Sequence, residues 1–488
     1  MKEQTNFRGA LSKSEIRDLN LDLEDLHQLD SFDLKPNDRK KGIAKSLIFT
    51  AIAIFIFFIP ITIDGKTDIT FGIIYNGLMN LTGNYGLWFV TLITIVTALL
   101  SIYGKYFAKS GKIYDYFHGD SIIHPLIYTI GAAFALLYTM NATTSFNGPE
   151  VIVGPSTGGT VIPSIAVAVF WIILVSSFCM PFLINYGFID LIGTLMEPLM
   201  RPVFKLPGRA AINALVSFLS SSSVGVLVTN KLYRRGVYTE KEAVLVATGF
   251  SAVSVGFAYM VIKTAGLQDH FALVYLVSAF MTLMISGIVG RIPPFNKKRD
   301  VYPNGKVQTK EDIDNTKSSS NGIFSTGGKR AVKKAFLAPP LAGEIKSSLK
   351  DSVEVIPKVV TSLCAIGTGA LILAENTPIF RFLGKLFVPL LNLLRVPNAA
   401  DIAASFPVGI AEMFLPVLLI AEKVPVLHPQ ARFLVVSVSI SQIIFFAETI
   451  VVMMSAKLPI KLWELVVVFI ERTILAIIIG SIFMHILF

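Results

Sequence analysis

Two glutamates stand inside long apolar runs of this sequence. Glu412 lies in the run 400–422 and Glu448 in the run 431–455. A carboxylate at membrane depth is unfavourable unless it is paired, solvated or protonated, so such a residue is by default functional. Each could bind a coupling proton or cation, or a positive group on a substrate. The alternative is a structural pair with a basic side chain on a neighbouring helix.

Four consecutive serines occupy the centre of another apolar run, 209–230. They are Ser220, Ser221, Ser222 and Ser223. A hydroxyl both donates and accepts hydrogen bonds, so the cluster suits a hydroxylated solute or exposed backbone groups. The alternative is that each serine is a small residue that lets two helices approach closely.

Polar stripes cross two further apolar runs. Thr248, Ser251 and Ser254 are three residues apart in the run 241–264 and follow one helix face. The matching stripe in the run 431–455 consists of Ser437, Ser439, Ser441 and Gln442. A stripe that faces a cavity would bind substrate, whereas hydroxyls bonded to the carbonyl four residues earlier would be structural.

The composition places these residues in an integral membrane protein. Of the 488 residues, 53% are hydrophobic and 16% are charged, whereas soluble domains carry about 25% charged residues. The mean hydropathy is +0.65. These values exclude a cytosolic enzyme or a nucleic-acid binder. The net charge of +10 comes mostly from basic residues between apolar runs, where they signal topology.

Cysteine and histidine add no chemistry that the sequence can support. Cys179 and Cys364 lie in apolar runs and have neither disulfide nor metal-ligand spacing. The histidines form no ligand set and no Ser/His/Asp set can be argued, so we expect no enzyme activity, no structural metal and no cofactor. Residues 1–40 are polar and acidic, so we expect no cleavable signal peptide.

Apolar runs of spanning length indicate about nine transmembrane helices. We place them at 44–63, 86–104, 122–140, 162–184, 241–264, 270–291, 353–374, 431–455 and 462–486. The runs 209–230 and 400–422 contain Ser, Gly or Pro at their centres, so we predict that each is a re-entrant helical hairpin. In the last run, Glu471 and Arg472 point about 100° apart, and we interpret both as structural.

Basic residues at both ends of the run 209–230 support the first hairpin, because both ends then favour the cytoplasm. They are Arg201, Lys205 and Arg209 before it, and Lys231, Arg234, Arg235 and Lys241 after it. Lys40, Lys41 and Lys45 place the N-terminus in the cytoplasm. The loop 292–350, with twelve Lys or Arg and five Asp or Glu, is expected inside as a flexible linker.

These features divide the chain into five parts. We predict a largely disordered cytoplasmic segment at 1–40 and N-terminal scaffold helices at 41–161. A first repeat with hairpin 1 follows at 162–291, then the basic cytoplasmic linker at 292–350, and a second repeat with hairpin 2 at 351–488.

An internal repeat relates the two halves. The segment 192–199 resembles 383–390, and Lys205-Leu206-Pro207 aligns with Arg395-Val396-Pro397, with six identities over about twenty positions. Each half reads span, proline-bearing helix, broken hairpin, span, span. Three crossings in each half would invert the second copy, as in secondary transporters. The fold class is therefore an all-α polytopic membrane protein with an inverted repeat.

The residues 206–230 and 238–251 resemble the nucleoside-recognition Gate domain, and specifically the YjiH family of bacterial membrane proteins. The layout also resembles that of concentrative nucleoside transporters. That resemblance implies a substrate held between the two hairpin tips and unwound parts of the spans that follow them. It assigns substrate binding to Ser220–Ser223, Thr248, Ser251, Ser254, Ser441 and Gln442, and ion coupling to Glu412 and Glu448. A glutamine-threonine-glutamate signature of that family is replaced by the four serines, which puts base recognition and the family's sodium site in doubt.

We therefore predict a secondary active transporter of a small polar solute, nucleoside-like in chemistry and coupled to H⁺ or Na⁺. The alternative is a non-transporting accessory or structural component of a larger membrane complex. The expected partners are the lipid bilayer, the solute, and a second copy or a partner membrane subunit, with no nucleic acid. The expected location is the cytoplasmic membrane of a bacterium.

Overall fold

The computed structural model describes residues 10–11, 13–18, 26–63, 66–118, 120, 122–219, 222–250, 253, 255–309, 313, 322–421 and 423–487. Over these residues the chain is almost entirely helical, which confirms the predicted all-α class. Two short sheets accompany the helices. Strand β1 (Ala10–Leu11) pairs parallel with β2 (Asp33–Leu34), and β3 (Pro60–Ile63) pairs antiparallel with β4 (Lys66–Ile69).

The helices before the basic linker are α1 (Lys13–Asp18), α2 (Leu26–Asp30), α3 (Pro36–Phe58), α4 (Thr70–Ile102), α5 (Lys112–His118), α6 (His124–Thr143), α7 (Glu150–Val153), α8 (Gly158–Val161), α9 (Val167–Ile184), α10 (Phe188–Phe204), α11 (Ala210–Leu219), α12 (Ser222–Arg234), α13 (Glu240–Gly249), α14 (Val255–Thr264) and α15 (Phe271–Val289). Short π-helical turns at Tyr103–Phe107 and Ile162–Ala166 extend α4 and join α8 to α9.

The helices of the linker and the second half are α16 (Ile323–Leu337), α17 (Leu341–Ser362), α18 (Thr368–Asn376), α19 (Ile379–Gly384), α20 (Val388–Leu393), α21 (Ala399–Ile402), α22 (Ser405–Val408), α23 (Leu415–Ala421), α24 (Pro429–Gln442), α25 (Thr449–Ser455) and α26 (Leu462–Leu487). A π-helical turn at Leu363–Gly367 joins α17 to α18. Short 3₁₀ turns lie at Gln268–His270 and Phe295–Lys297.

Seven helical stretches among the described residues are long and apolar enough to cross a bilayer. They are Pro36–Phe58, Thr70–Phe107, His124–Thr143, Glu150–Ile184, Gln268–Val289, Leu341–Asn376 and Leu462–Leu487. Each coincides with one of the nine apolar runs in the sequence. The chain is therefore a multi-pass membrane protein, while the count of nine spans and the re-entry of the two hairpins stay predictions.

The other two apolar runs, 241–264 and 431–455, each contain two helices. The second run forms α24 and α25, and the non-helical segment Ile443–Glu448 interrupts it, as the family resemblance implies. The first run forms α13 and α14, and residues 251, 252 and 254 between them lie outside the described residues.

The described chain divides into two compact units. The first contains Met1–Ile73, Val175–Ser251 and Ser286–Lys350, and the second contains Ile74–Leu174, Ala252–Ile285 and Asp351–Phe488. In the first unit, α11 packs on α12. Most of the described side chains of the two helices are buried. In the second unit, α24 packs along α26.

The basic linker differs from the flexible segment that its composition suggests. Residues Ile323–Leu337 form α16, which packs closely on both α3 and α10 within the first unit. The side chain of Arg330 on α16 donates to Asp30 at 2.6–3.1 Å and to Thr194 at 3.2 Å. Composition alone misses this helix because its order comes from packing and from ion pairs with distant segments.

The described part of the N-terminal segment is also packed. Leu29 and Phe32 are buried against Leu337 at the end of α16, and Lys333 lies over the ring of Phe32. Burial lowers the pKa of Lys333, although the carboxylates of Asp30 and Asp33 act in the opposite direction.

Two backbone features agree with the internal repeat. Lys205 and Arg395, which align in the repeat, both adopt a left-handed conformation, with φ of 58° and 53°. Each is followed two positions later by a proline that cannot continue a helix. The aligned glycines Gly193 and Gly384 each face backbone atoms at the start of their own hairpin, where a Cβ atom would lie within 3.0 Å of that backbone.

Candidate functional site

The interruption in the second half lies against the tip of hairpin 2. The amide of Phe446 donates to the carbonyl of Ile410 at 2.7 Å, and the amide of Ala447 donates to the carbonyl of Ala411 at 2.9 Å. Ile443 begins the interruption with a φ of 51°, a conformation that is unfavourable by about 1–2 kcal/mol for a residue with a Cβ atom. The surrounding bonds hold Ile443 in this strained left-handed conformation.

The carboxylate of Glu412 satisfies the amides that begin α23. Its Oε2 atom accepts hydrogen bonds from the amides of Phe414 at 2.5 Å and Leu415 at 3.2 Å. The side chain is only 6% exposed. An anion at a helix start is stabilised by free N–H groups and by the helix dipole. This contact gives Glu412 a structural role beside the coupling role predicted from the sequence.

Glu448 ends the interruption and stands immediately before α25. It is partly buried, and its charge acts on that of Glu412, so the two carboxylates are electrostatic neighbours. Two like charges in a poorly solvated region repel one another, and a bound proton or cation relieves that repulsion. The structure thus brings together the two glutamates that the sequence singled out.

Gln442 joins the end of α24 to two other elements. Its Nε2 atom donates to the carbonyl of Phe406 and to Oγ1 of Thr473, both at 2.8 Å. Its Oε1 atom is buried and makes no hydrogen bond within the described chain. A Cβ atom on Gly409 would lie 2.0 Å from this Oε1 atom, so the tip of hairpin 2 requires glycine there.

The hydroxyls of the predicted stripes bond mainly to backbone carbonyls. Thr248 donates to Val244 at 2.7 Å and Ser441 donates to Ser437 at 2.7 Å, each four residues earlier. Such bonds are expected if these two hydroxyls have a structural role rather than a role in substrate binding. Ser439 differs, because its hydroxyl donates to the carbonyl of Met413 at 2.5 Å and so ties α24 to the hairpin tip.

Arg472 is the residue that the sequence analysis undervalued. Its guanidinium is fully buried and donates to the carbonyls of Ser441 and Gln442 at 2.7–3.2 Å. These are the last carbonyls of α24, so a cation stands at the negative end of that helix dipole. An arginine inside the last apolar run was the available signal. Its partner is the broken end of another helix rather than an acidic side chain, which no local pattern reveals.

In the first half, Ser222 and Ser223 begin α12 and are buried. Four predicted substrate-binding residues lie outside the described residues: Ser220, Ser221, Ser251 and Ser254. Two other residues emerge on α11. Asn213 and Ser217, one helical turn apart, are fully buried, and their side-chain polar atoms make no hydrogen bond to any described group. Sequence reasoning missed them because each is a single polar residue in an apolar helix.

No group of three or more His, Cys, Asp or Glu side chains is placed to hold a metal ion in the ranges that the structure describes. The chemistry of the second-half site is therefore carried by two carboxylates, a carboxamide and exposed backbone groups. Such a set can bind a proton or a monovalent cation together with a neutral hydrogen-bonding solute.

Known proteins resemble parts or most of this sequence. Residues 166–268 match the family model described as Gate, nucleoside recognition, which confirms the Gate resemblance. A solved structure of a CNTnw variant in an outward-facing state is similar to 92% of this chain and 99% of that chain, with a TM-score of 0.35 and 14% identity. The sporulation integral membrane protein YlbJ of Bacillus subtilis is 31% identical over 84 residues, which are 15% of this chain and 21% of that protein.

A much longer match extends over nearly the whole sequence. The uncharacterized protein BpOF4_10220 of Alkalihalophilus pseudofirmus is 32% identical over 450 residues, which cover 91% of this chain and 94% of that protein. The Gate match and the apolar helices support a membrane transporter. The protein belongs to the same family as the Alkalihalophilus protein, and it is a multi-pass membrane protein that contains a Gate domain.

Proposed function

We propose that the protein is a secondary active transporter that moves a small polar, nucleoside-like solute and is driven by H⁺ or Na⁺. We place it in the cytoplasmic membrane with its N-terminus inside. The observation that carries the proposal is the interrupted helix α24–α25 beside the tip of hairpin 2, with two carboxylates next to it. Transporters bind substrates and ions at such interruptions, because unwound backbone offers free polar groups at membrane depth.

Glu412 is the proposed coupling residue. Its Oε2 atom holds two amides of the hairpin tip, and a protonated carboxyl still accepts hydrogen bonds through its carbonyl oxygen. Uptake of a proton would therefore remove the repulsion with Glu448 without releasing α23. A sodium ion bound between the carboxylates would have the same electrostatic effect.

A buried polar atom without a partner supports a neutral solute that forms hydrogen bonds. Gln442, at the interruption of the second half, offers its Oε1 atom as a free acceptor among the described residues. Leaving such groups buried and unbonded costs about 1–3 kcal/mol each, which a hydrogen-bonding ligand would recover. Hydroxyl and amide groups of a nucleoside-like solute meet this requirement.

The test combines ligand identification with measured transport. Purified protein is first screened by thermal stability against nucleosides, bases, amines and organic acids, with and without Na⁺ and across pH. The solute that stabilises the protein is then supplied in radiolabelled form to proteoliposomes under an imposed H⁺ or Na⁺ gradient. We expect gradient-driven uptake by the wild type and at least about a tenfold loss in Glu412→Gln.

Glu375→Gln is the matched control, because Glu375 is exposed at the end of α18 and the charge change is the same. Gln at position 412 keeps an oxygen acceptor for the two amides, so the variant should still fold. Equal, gradient-independent uptake by the wild type and Glu412→Gln would remove coupling from the proposal.

A second candidate is a non-transporting component of a larger membrane assembly. It is favoured by the 84-residue match to a protein named for sporulation. Copurification of a partner subunit in fixed ratio, together with no thermal shift from any solute, would support this candidate over transport.

A further inference from the structure

A cavity of about 820 Å³ lies within the first unit. Its walls come from α10, the first turn of α13, the segment 300–308 and the beginning of α16. A volume between about 300 and 1,000 Å³ is typical of small-molecule sites. The transport proposal does not use this cavity.

Two of the three acidic side chains in its wall, Glu197 and Glu242, are already engaged in hydrogen bonds. Glu197 accepts from the side chain of Arg201 at 2.9 Å and from the amide of Gly208 at 2.5 Å. Glu242 accepts from Arg201 at 2.7 Å, from Gln308 at 3.2 Å and from the amide of Thr239 at 3.0 Å. These bonds occupy the acceptor oxygens, so the two carboxylates have little capacity left for a ligand.

The basic side chains in the same wall keep donor capacity. Arg201 uses Nε and Nη1 for the carboxylates, and its Nη2 group takes part in neither bond. The side chain of Lys205 is exposed and makes no hydrogen bond or ion pair with the described residues. Lys241 lies 3.7 Å from Asp300, which is about half exposed, and such a surface pair is weak. The cavity therefore offers free donors on three basic side chains, and Asp300 is the one carboxylate in its wall that accepts no hydrogen bond from a described residue.

The remaining surface of the cavity is apolar. Pro198 and Pro202 line it from α10, and Ile323 lines it from the start of α16. An apolar body would displace water from this part of the wall. The basic side chains and the apolar surface line the same cavity, so a single ligand can contact both.

We infer that this cavity binds a molecule with an apolar body and an anionic head, whose carboxylate or phosphate is held by Lys205, Lys241 and Arg201. The same chemistry is found in an anionic lipid and in a soluble organic phosphate. The ligand contacts both α10 and Lys241 in the first turn of α13. Binding therefore stiffens the start of that helix.

The test uses the full-length protein in a neutral detergent. Thermal stability and native mass spectrometry are measured with dioleoylphosphatidylglycerol, dioleoylphosphatidylcholine, adenosine monophosphate and inorganic phosphate. We expect a concentration-dependent rise in unfolding temperature with phosphatidylglycerol or with adenosine monophosphate. The first result identifies a lipid ligand and the second a soluble one. Inorganic phosphate, which lacks an apolar body, should bind far more weakly than either.

The variants Lys205→Gln and Arg395→Gln form a matched pair. The two positions align in the repeat, share the left-handed backbone conformation and are both exposed, but only Lys205 lines the cavity. Loss of one charge-assisted bond should raise the apparent Kd about tenfold in Lys205→Gln, with no change in Arg395→Gln. Three results would overturn the inference: no binding of any probe, binding of phosphatidylcholine as tight as that of the best anionic probe, or equal weakening by both variants.

Discussion

Charged side chains fasten the first hairpin, whereas backbone groups fasten much of the second. Arg209, just before α11, forms an ion pair with the buried Asp190 of α10. Arg201 of α10 binds Glu242 at the start of α13. In the second half, the tip is held instead by two bonds between backbone amides and carbonyls, by the hydroxyl of Ser439 and by the carboxylate of Glu412.

The difference determines how easily each attachment is released. Removing one partner of a buried ion pair leaves an uncompensated charge and costs several kcal/mol. A neutral hydrogen bond contributes only about 1 kcal/mol, since water replaces the lost partner when the groups separate. Burial tends to lower the pKa of Arg201, but Glu242 and Glu197 raise it above its usual value, so this attachment stays charged. The comparison makes the second tip the attachment that opens with less energy.

The largest effect is expected from breaking the ion pair of the first half. Arg209→Met leaves the carboxylate of Asp190 buried without its cation and should destabilise the protein by about 3–5 kcal/mol. The measurement is the unfolding midpoint of the purified protein in detergent, followed by intrinsic fluorescence. Arg395→Met is the control, because Arg395 is exposed and its replacement should change stability by no more than about 0.5 kcal/mol.

A neutral residue in place of Asp190 separates the effect of the buried charge from the effect of lost packing. If the buried carboxylate causes the loss, Asp190→Asn combined with Arg209→Met should recover a substantial part of the midpoint. An equal midpoint for the single and the double variant would show that packing of Arg209 against Gly193, rather than charge, fastens this hairpin.

An intermediate effect is expected at the tip of hairpin 2. Gly409→Ala places a methyl group on the Oε1 atom of Gln442, whose amide is fixed by two hydrogen bonds. We expect a loss of about 1–3 kcal/mol, as for other overpacked sites. Gly369→Ala is the control, since nothing lies within 4 Å of a Cβ atom there.

A double-variant cycle tests the assigned contact. In the Gln442→Ala background, Gly409→Ala should have little further effect on the unfolding midpoint, because the crowded oxygen is gone. If the loss is the same in both backgrounds, Gln442 is not the group that requires glycine at position 409.

The sequence predicts those features that depend on local composition and on the repeat. The apolar runs locate the long helices, and the alignment of Lys205 with Arg395 anticipates the shared backbone conformation. The two glutamates are recognised because a carboxylate is rare in an apolar run. The folded tip then brings Glu448 and Glu412 close enough for their charges to interact. This proximity does not confirm either residue as an ion site.

Contacts between distant segments lie beyond such reasoning. Arg472 binds the carbonyls of Ser441 and Gln442 thirty residues away, and α16 is ordered by Asp30, three hundred residues earlier in the chain. The sequence does not show whether the hydroxyls of Thr248 and Ser441 are free or hydrogen-bonded. The fold shows that both donate to backbone carbonyls. Tertiary packing decides these cases.

The smallest effect is expected at the N-terminal caps of α13 and α24. Thr239 is fully buried and forms a capping box with Glu242, through bonds of 3.2 and 3.0 Å. At the matching place His428 accepts from the amide of Gln430 at 3.3 Å in an exposed setting. Thr239→Ala should lose about 1 kcal/mol of stability, and His428→Ala only a few tenths, because water replaces an exposed acceptor. Thr239→Ser, which keeps the hydroxyl, should retain most of the unfolding midpoint. Equal midpoints for Thr239→Ala and His428→Ala would mean that burial does not distinguish the two caps, and the contrast between the halves would be confined to the hairpins.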